Sequence, residues 1–362
     1  KSLTLIEVNM WNGNCGGIKE ILADKAPNTL ELEITLFENC DVVCTFCGHE
    51  KDSVHGMSMD AMLKKLEFVD EYLSTASKDV AFANVHLLGG ELLQDRLMTG
   101  KNDCYLNKYF LWLSRYKQIC EKYGFTPRVV IVTNNLTKQP EVVKSFLDRV
   151  RDELMVCDLI VSYDMSGRPI TRQYRHNMGF FAEYISNINM VATSASIKAI
   201  MAKKDPYFQT LYCNHSIYID VFLPDPESEY LIPSDELLLE FMKFCHKKYP
   251  KIMPYSYSAE ICENGSNEMV EISGSTLNKM TILPNDVMTN YAWERHDGDF
   301  WDRPFVLEDN TNMLYDFVME NNCLSCEHFS YCHMRCPVQW SWKNRERSEG
   351  CVNKRFYDYI NK

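Results

Sequence analysis

The sequence has no apolar run long enough to cross a membrane as a helix. Its first ten residues, Lys1 to Met10, lack the long apolar stretch and small-residue cleavage site of a secretory signal. It has no repeat of fixed period and no low-complexity segment, which argues against solenoid and fibrous architectures. It is also short of positive charge: 38 Lys and Arg face 50 Asp and Glu, a net −12. Duplex nucleic acid binders carry a basic face, so this balance argues against that partner.

Hydrophobic residues make up 46% of the 362 residues, enough to bury a sizeable core. The length suits one large barrel with an appendage, or two ordinary domains.

Cysteine is abundant, with 15 in the chain. A chain of this size needs no disulfides for stability, and without a secretory signal none are expected. Eight fall in two tight groups: Cys40, Cys44 and Cys47, then Cys323, Cys326, Cys332, Cys336 and Cys351. Short spacing is what metal ligation needs, because several thiolates must reach one small centre. Most of the other seven (Cys15, Cys104, Cys120, Cys157, Cys213, Cys245 and Cys262) read as small buried hydrophobes.

Short Val-, Ile-, Leu- and aromatic-rich runs predict strands at 30–36, 80–88, 128–133, 156–163, 195–202 and 216–223. Between them lie predicted helices. Ser58 caps one with Met59, Leu63, Leu66, Val69 and Leu73 on one face. Others span 105–122, 141–150 behind Pro140, and 178–190, with at most a short helix in 203–215. Alternating strands and helices imply parallel pairing with right-handed crossovers. The expected fold is therefore α/β, a partial (β/α)6 TIM-like barrel, with a doubly wound open sheet as the competing architecture. In either case the ligand site lies at the C-terminal ends of the strands. The expected division is an N-terminal extension (1–29), the barrel (30–224), a linker and helical or loop region (225–322) with one clear helix at 234–248, and a loop-rich C-terminal region holding the second cysteine group (323–362).

The first cysteine group follows a strand directly, as CDVVCTFC with C-x3-C-x2-C spacing. Three thiolates fill three corners of a [4Fe–4S] cube and leave the fourth iron open for a small molecule. A structural zinc site, with His49 or His55 as fourth ligand, is the competing assignment. This spacing, with Phe46 before the last cysteine, resembles the radical S-adenosylmethionine superfamily. The resemblance implies that the open iron binds S-adenosylmethionine through its amino and carboxylate groups. Reductive cleavage then gives a 5′-deoxyadenosyl radical that abstracts hydrogen from a substrate.

Other stretches resemble that family in the same order along the chain. HLLGGE ends the second strand and is similar to the glycine-rich segment that lines the amino group. The resemblance implies roles there for Gly89, Gly90 and Glu91, with Leu92 where a proline is usual. VTNNL at 132–136 resembles a TNG-type strand end, with Asn134 at the cofactor and Asn135 replacing the glycine. VSYDMSGR resembles the end of the fourth strand, where Ser162 sits near the cofactor carboxylate and Arg172 or Arg175 pairs with it.

The second group, C-x2-C-x5-C-x3-C-x14-C, resembles the C-terminal signature of the SPASM group, which carries auxiliary [4Fe–4S] clusters. Carried over, Cys323, Cys326, Cys332 and Cys351 hold one auxiliary cluster. Cys336 is unassigned, because no upstream cysteine pair accompanies Cys262. Zinc is again the alternative, and His328 and His333 read as surface residues or as support behind the ligands.

Candidates for proton or hydrogen transfer to the substrate are Tyr163, Asp164, Cys213, His215 and Glu260. The resemblance points to a peptide or protein substrate, modified by oxidation or cross-linking. A small molecule, sugar or nucleotide is the alternative within the same chemistry, and a zinc-stapled binding protein is the alternative outside it. It also implies a flavodoxin- or ferredoxin-type electron donor and, from oxygen sensitivity, a cytoplasmic location.

Overall fold

The computed structural model describes residues 29–47, 52–76, 80–98, 104–164, 167–168, 170–220, 230–250, 252–254, 279–289, 318–319, 322–328 and 351–361. The expected N-terminal extension and most of the linker region lie outside these residues, as do Cys332, Cys336, Cys262, Glu260, His49 and His333.

The described residues build one sheet around β1 (Thr29–Thr35), β2 (Phe82–Leu88), β3 (Thr126–Thr133), β4 (Val156–Tyr163), β5 (Ile185–Val191) and β6 (Ile217–Asp220). The connecting helices are α1 (Met59–Thr75), α2 (Tyr105–Tyr123), α3 (Pro140–Glu153), α4 (Arg172–Phe180), α5 (Ser194–Met201) and α6 (Pro206–Asn214). The helix α7 (Asp235–Lys248) and three short strands follow, β7 (Met253–Pro254), β8 (Lys279–Ile282) and β9 (Met288–Thr289), and then the C-terminal helix α8 (Val352–Ile360).

The strand order is β7-β6-β5-β4-β3-β2-β1-β8-β9. Every pairing is parallel except β8 with β9. Consecutive strands are neighbours from β1 to β6, with no reversal of order. A doubly wound sheet needs such a reversal at its switch point, so the arrangement is that of the partial barrel.

Strand residues alternate between two unlike faces. Leu30, Leu32, Ile34, Ala83, Val85, Leu87, Val129, Ile131, Cys157 and Leu159 face the helices in one buried cluster. Val161, Tyr163, Ile188, Met190, Ile217 and Ile219 continue that layer against the residues of α4 to α8. The opposite, inner face is polar at most positions of β1 and β2. There His86 pairs with Glu31 at 2.8 Å and Lys279 with Glu33 at 2.7 Å.

Two sequence expectations fail. Residues 195–201 lie in helix α5 rather than in a strand, and 185–190, expected to be helical, are in β5. Thr193 caps α5, accepting from the Ser196 amide at 3.1 Å, and turns the apolar run into a helix. In β5, Asn187 and Asn189 sit on the polar inner face while Ile188 and Met190 face the helices. The segment expected to be loop-rich also contributes strands, because β8 pairs with β1 and extends the sheet beyond it.

Among the described residues no helix is long and apolar enough to cross a membrane.

Candidate functional site: a three-cysteine loop over the strand ends

The loop after β1 carries Cys40, Cys44 and Cys47 at the C-terminal end of the sheet. Cys44 is buried, and Cys40 and Cys47 are half-buried. Burial pushes the Cys40 thiol up to about 12, and the charges of Glu91, Asp41 and Cys44 add to the effect. Such a thiol keeps its proton until a cation displaces it.

Backbone from β2 pins the start of this loop. The Gly90 amide donates to the Phe37 carbonyl at 2.9 Å, and the Glu91 amide to the Asn39 carbonyl at 3.0 Å. A Cβ on Gly90 would sit 2.0 Å from the Glu38 oxygen, so only glycine admits this approach. The glycine therefore serves contact between two loops of the chain, in addition to any ligand.

Glu91 is 2% exposed. Its Oε1 accepts from the Leu93 amide at 2.9 Å and the Thr133 hydroxyl at 3.0 Å, and its Oε2 from the Asn134 amide at 2.5 Å. The carboxylate ties β2 to β3. Burial raises it to about 7, and the three hydrogen bonds only partly offset this.

Asn134 reaches the cysteine loop, its Nδ2 donating to Asp41 at 3.4 Å. Asn135 has φ +62°, the left-handed conformation that asparagine tolerates best after glycine. Its presence in place of glycine is consistent with the same turn.

The turn after β4 closes the other side. Gly167 packs against Thr45 and Phe46, where a Cβ would come within 2.7 Å of each. Arg168, only 9% exposed, donates from Nε to the Cys44 sulfur at 3.5 Å and from its terminal nitrogen to the Ser162 carbonyl at 2.8 Å. Its guanidinium lies 5.8 Å from the Phe46 ring centre. Sequence reasoning stopped at Arg172 and Arg175. Both lie exposed on α4, with Arg175 over the Tyr207 ring at 4.9 Å. The missed signal was the position of Arg168 inside the strand-end stretch itself.

Phe46, Gly89, Gly90, Glu91, Asn134 and Ser162 thus all lie on the cysteine loop or the strand ends around it. The described candidates for proton or hydrogen transfer, Tyr163, Asp164, Cys213 and His215, do not join them as free groups. Tyr163 is 1% exposed on the helix side of β4, where burial pushes its hydroxyl upward, and it donates to Asp205 at 2.6 Å. Asp164 is buried and accepts from the Gly167 amide at 3.2 Å and the Ser196 hydroxyl at 2.5 Å. Cys213 is exposed near the end of α6, just before β6 begins. That places it at the opposite end of the sheet, and half-buried His215 is beside it.

Of the C-terminal cysteines, Cys323, Cys326 and Cys351 are among the described residues. The Cys326 amide donates to the Cys323 carbonyl at 2.9 Å, and Cys351 caps α8. Burial raises the Cys326 thiol, and the nearby Cys351 adds to this. His328 Nε2 lies 2.8 Å from Asp358 of α8 and joins the Cys323–Cys326 turn to that helix. Val352, Phe356 and Tyr357 anchor α8 in the barrel core beside α7.

No family model matches this sequence, and no curated protein does. Solved structures do. Native anSMEcpe with bound AdoMet and the Kp18Cys peptide superposes with a TM-score of 0.58 at 15% identity, over 92% of this chain and 96% of that one. Hexahistidine-tagged anSMEcpe with AdoMet gives 0.56 at 15%, over 92% of both chains. Native anSMEcpe with AdoMet gives 0.56 at 16%, over 91% and 96%. At these identities the likeness is one of fold.

Proposed function

We propose that this chain is a radical S-adenosylmethionine enzyme that modifies a side chain of a peptide or protein. The observation that carries the proposal is the three-cysteine loop held over the C-terminal strand ends by the Gly90 and Glu91 backbone. The donor set fits an iron–sulfur cluster. Three soft thiols lie on one short loop, and the protonated Cys40 waits for a cation to displace its proton. Cys40, Cys44 and Cys47 would hold a [4Fe–4S] cluster, which supplies one-electron reduction of S-adenosylmethionine when bound.

The chain's own residues orient the cofactor. Gly89, Gly90 and Glu91 are assigned to its amino group, and Asn134 to the floor beside it. Ser162, with Arg172 or Arg175 at the rim, is assigned to its carboxylate. The inner face of the barrel below, lined by Leu88, Val132, Ser162 and Asn189, receives the substrate. Cys323, Cys326 and Cys351, with Cys332, are assigned to an auxiliary cluster, and the division at 30–224 and 323–362 follows these two centres. The peptide substrate is supported by the Kp18Cys peptide bound to anSMEcpe. A flavodoxin- or ferredoxin-type donor and a cytoplasmic location complete the proposal.

The test is anaerobic reconstitution followed by incubation with reductant and S-adenosylmethionine. The expected result is about eight irons per chain and release of 5′-deoxyadenosine, which Cys44→Ala abolishes. Zinc without sulfide would reject the enzyme and leave a metal-stapled binding protein.

A further inference from the structure

Arg168 is a buried cation in need of an anion. Moving a charged group out of water costs several kcal/mol unless it is paired. Its side-chain hydrogen bonds go to the neutral Ser162 carbonyl and to the Cys44 sulfur, and the charge of Glu91 acts on it more weakly than the sulfur does. The sulfur is therefore its nearest source of negative charge. Cys40 sits in the opposite environment, near the carboxylates of Asp41 and Glu91. The three-cysteine loop is thus electrostatically lopsided, with a fixed positive charge at one thiol and acidic groups at another.

We propose that Arg168 raises the reduction potential of the centre held by Cys40, Cys44 and Cys47, by donating Nε–H to the Cys44 thiolate. This deepens the proposed function and rests on it. Hydrogen bonds to ligand sulfurs and nearby charge are what set such potentials. Reduction adds one electron from the external donor and neither makes nor breaks a bond at Arg168. The guanidinium stays protonated throughout. A cation and a donor at one thiolate stabilise the more negative reduced state, and burial strengthens both effects. Arg168 acts here as a positioning and tuning residue. Its bond to the Ser162 carbonyl also holds the β4 strand end beneath the loop.

The test uses the anaerobically reconstituted full chain with Arg168→Met and Arg168→Gln. The readout is a redox titration of the electron paramagnetic resonance signal that changes when S-adenosylmethionine is added, which separates this centre from an auxiliary one. In the methionine variant the reduction equilibrium is expected to fall at least tenfold, a downward shift of about 59 mV for one electron. The glutamine variant keeps an N–H donor without the charge, and a smaller fall is expected. Iron content per chain is measured beside each titration. Normal iron content with wild-type potential in both variants would overturn the proposal. If the methionine variant does not fold or load, the glutamine variant decides by the same criterion. A wild-type protein that binds no iron overturns the enzyme assignment itself, a failure distinct from an unmoved potential.

Discussion

Gly90→Ala should detach the cysteine loop, whereas its neighbour Gly89→Ala should be mild. A Cβ at position 90 would stand 2.0 Å from the Glu38 oxygen and 2.2 Å from the Asn39 oxygen. Carbon–oxygen contacts are ordinarily no closer than about 3.3 Å, so the loop backbone must retreat by roughly an ångström. That retreat breaks the Gly90-to-Phe37 and Glu91-to-Asn39 hydrogen bonds, at 2.9 and 3.0 Å. Each of these two buried bonds left unmade costs about 1–3 kcal/mol, which puts the variant at about 2–6 kcal/mol. At position 89 the nearest atoms are the side-chain Leu92 Cδ2 at 2.8 Å and the Phe37 carbonyl oxygen at 3.2 Å, so the backbone needs far less retreat than at position 90. The expected cost there is about 1 kcal/mol. At about 2 °C per kcal/mol, thermal unfolding should separate the two variants clearly. Iron retained after anaerobic reconstitution should fall sharply only for Gly90→Ala, because Asn39 precedes Cys40 directly. Equal losses in the two variants would refute the argument that loop-to-loop contact is what requires glycine.

Two further outcomes follow from buried charge. Glu91 keeps its proton up to about 7 in the folded chain, against 4.5 when free. Its contribution is therefore fully present below pH 4.5 and lost as pH rises through 7. The shift corresponds to about 3 kcal/mol. Wild-type thermal stability should accordingly decline relative to Glu91→Gln between those limits, and parallel profiles would count against it. Lys65, fully buried on α1, donates to the Leu283 carbonyl at 2.7 Å, the Pro284 carbonyl at 3.2 Å and Asp286 at 2.9 Å. Lys65→Met leaves the Pro284 carbonyl without its donor, while Asp286 keeps Lys64 at 3.0 Å and the Leu283 carbonyl keeps the Asp286 amide at 3.1 Å, and should cost about 1–3 kcal/mol. It should also speed amide exchange in β8, and unchanged exchange there would show that Lys65 does not hold that strand.

The parts legible in the sequence were those fixed by local pattern. Cysteine spacing marked the loop, and β1 to β4 appeared within two residues of their observed ends because apolar residues dominate or alternate cleanly there. β5 was missed because the sheet's inner face is polar along its middle. Asn187 and Asn189 occupy it, so the strand carries no apolar run, while the more apolar α5 beside it looked like one. β8 has only four residues and exists through its pairing with β1, a contact between segments far apart in the chain. Nothing near Lys65 in the sequence shows that the turn at 283–286 covers it. Arg168 was overlooked for a similar reason, because its partner lies 124 residues away.

These distant contacts together explain how a loop without regular structure can present three thiols in fixed places. The segment before Cys40 is fixed by the β2 end, through Gly90 and Glu91. The stretch between Cys40 and Cys44 is met by the β3 end, through Asn134 to Asp41. Cys44 and the residues just after it are met by the β4 turn, with Arg168 on the sulfur and Gly167 against Thr45 and Phe46. The loop crosses the strand ends in the same order as the sheet, β1 to β4, so each interval between cysteines rests on a different strand. Strands in register within a packed sheet move little relative to one another. Placement of the thiols is therefore inherited from the sheet, and a loop of ordinary flexibility gains the fixed geometry that a metal centre needs.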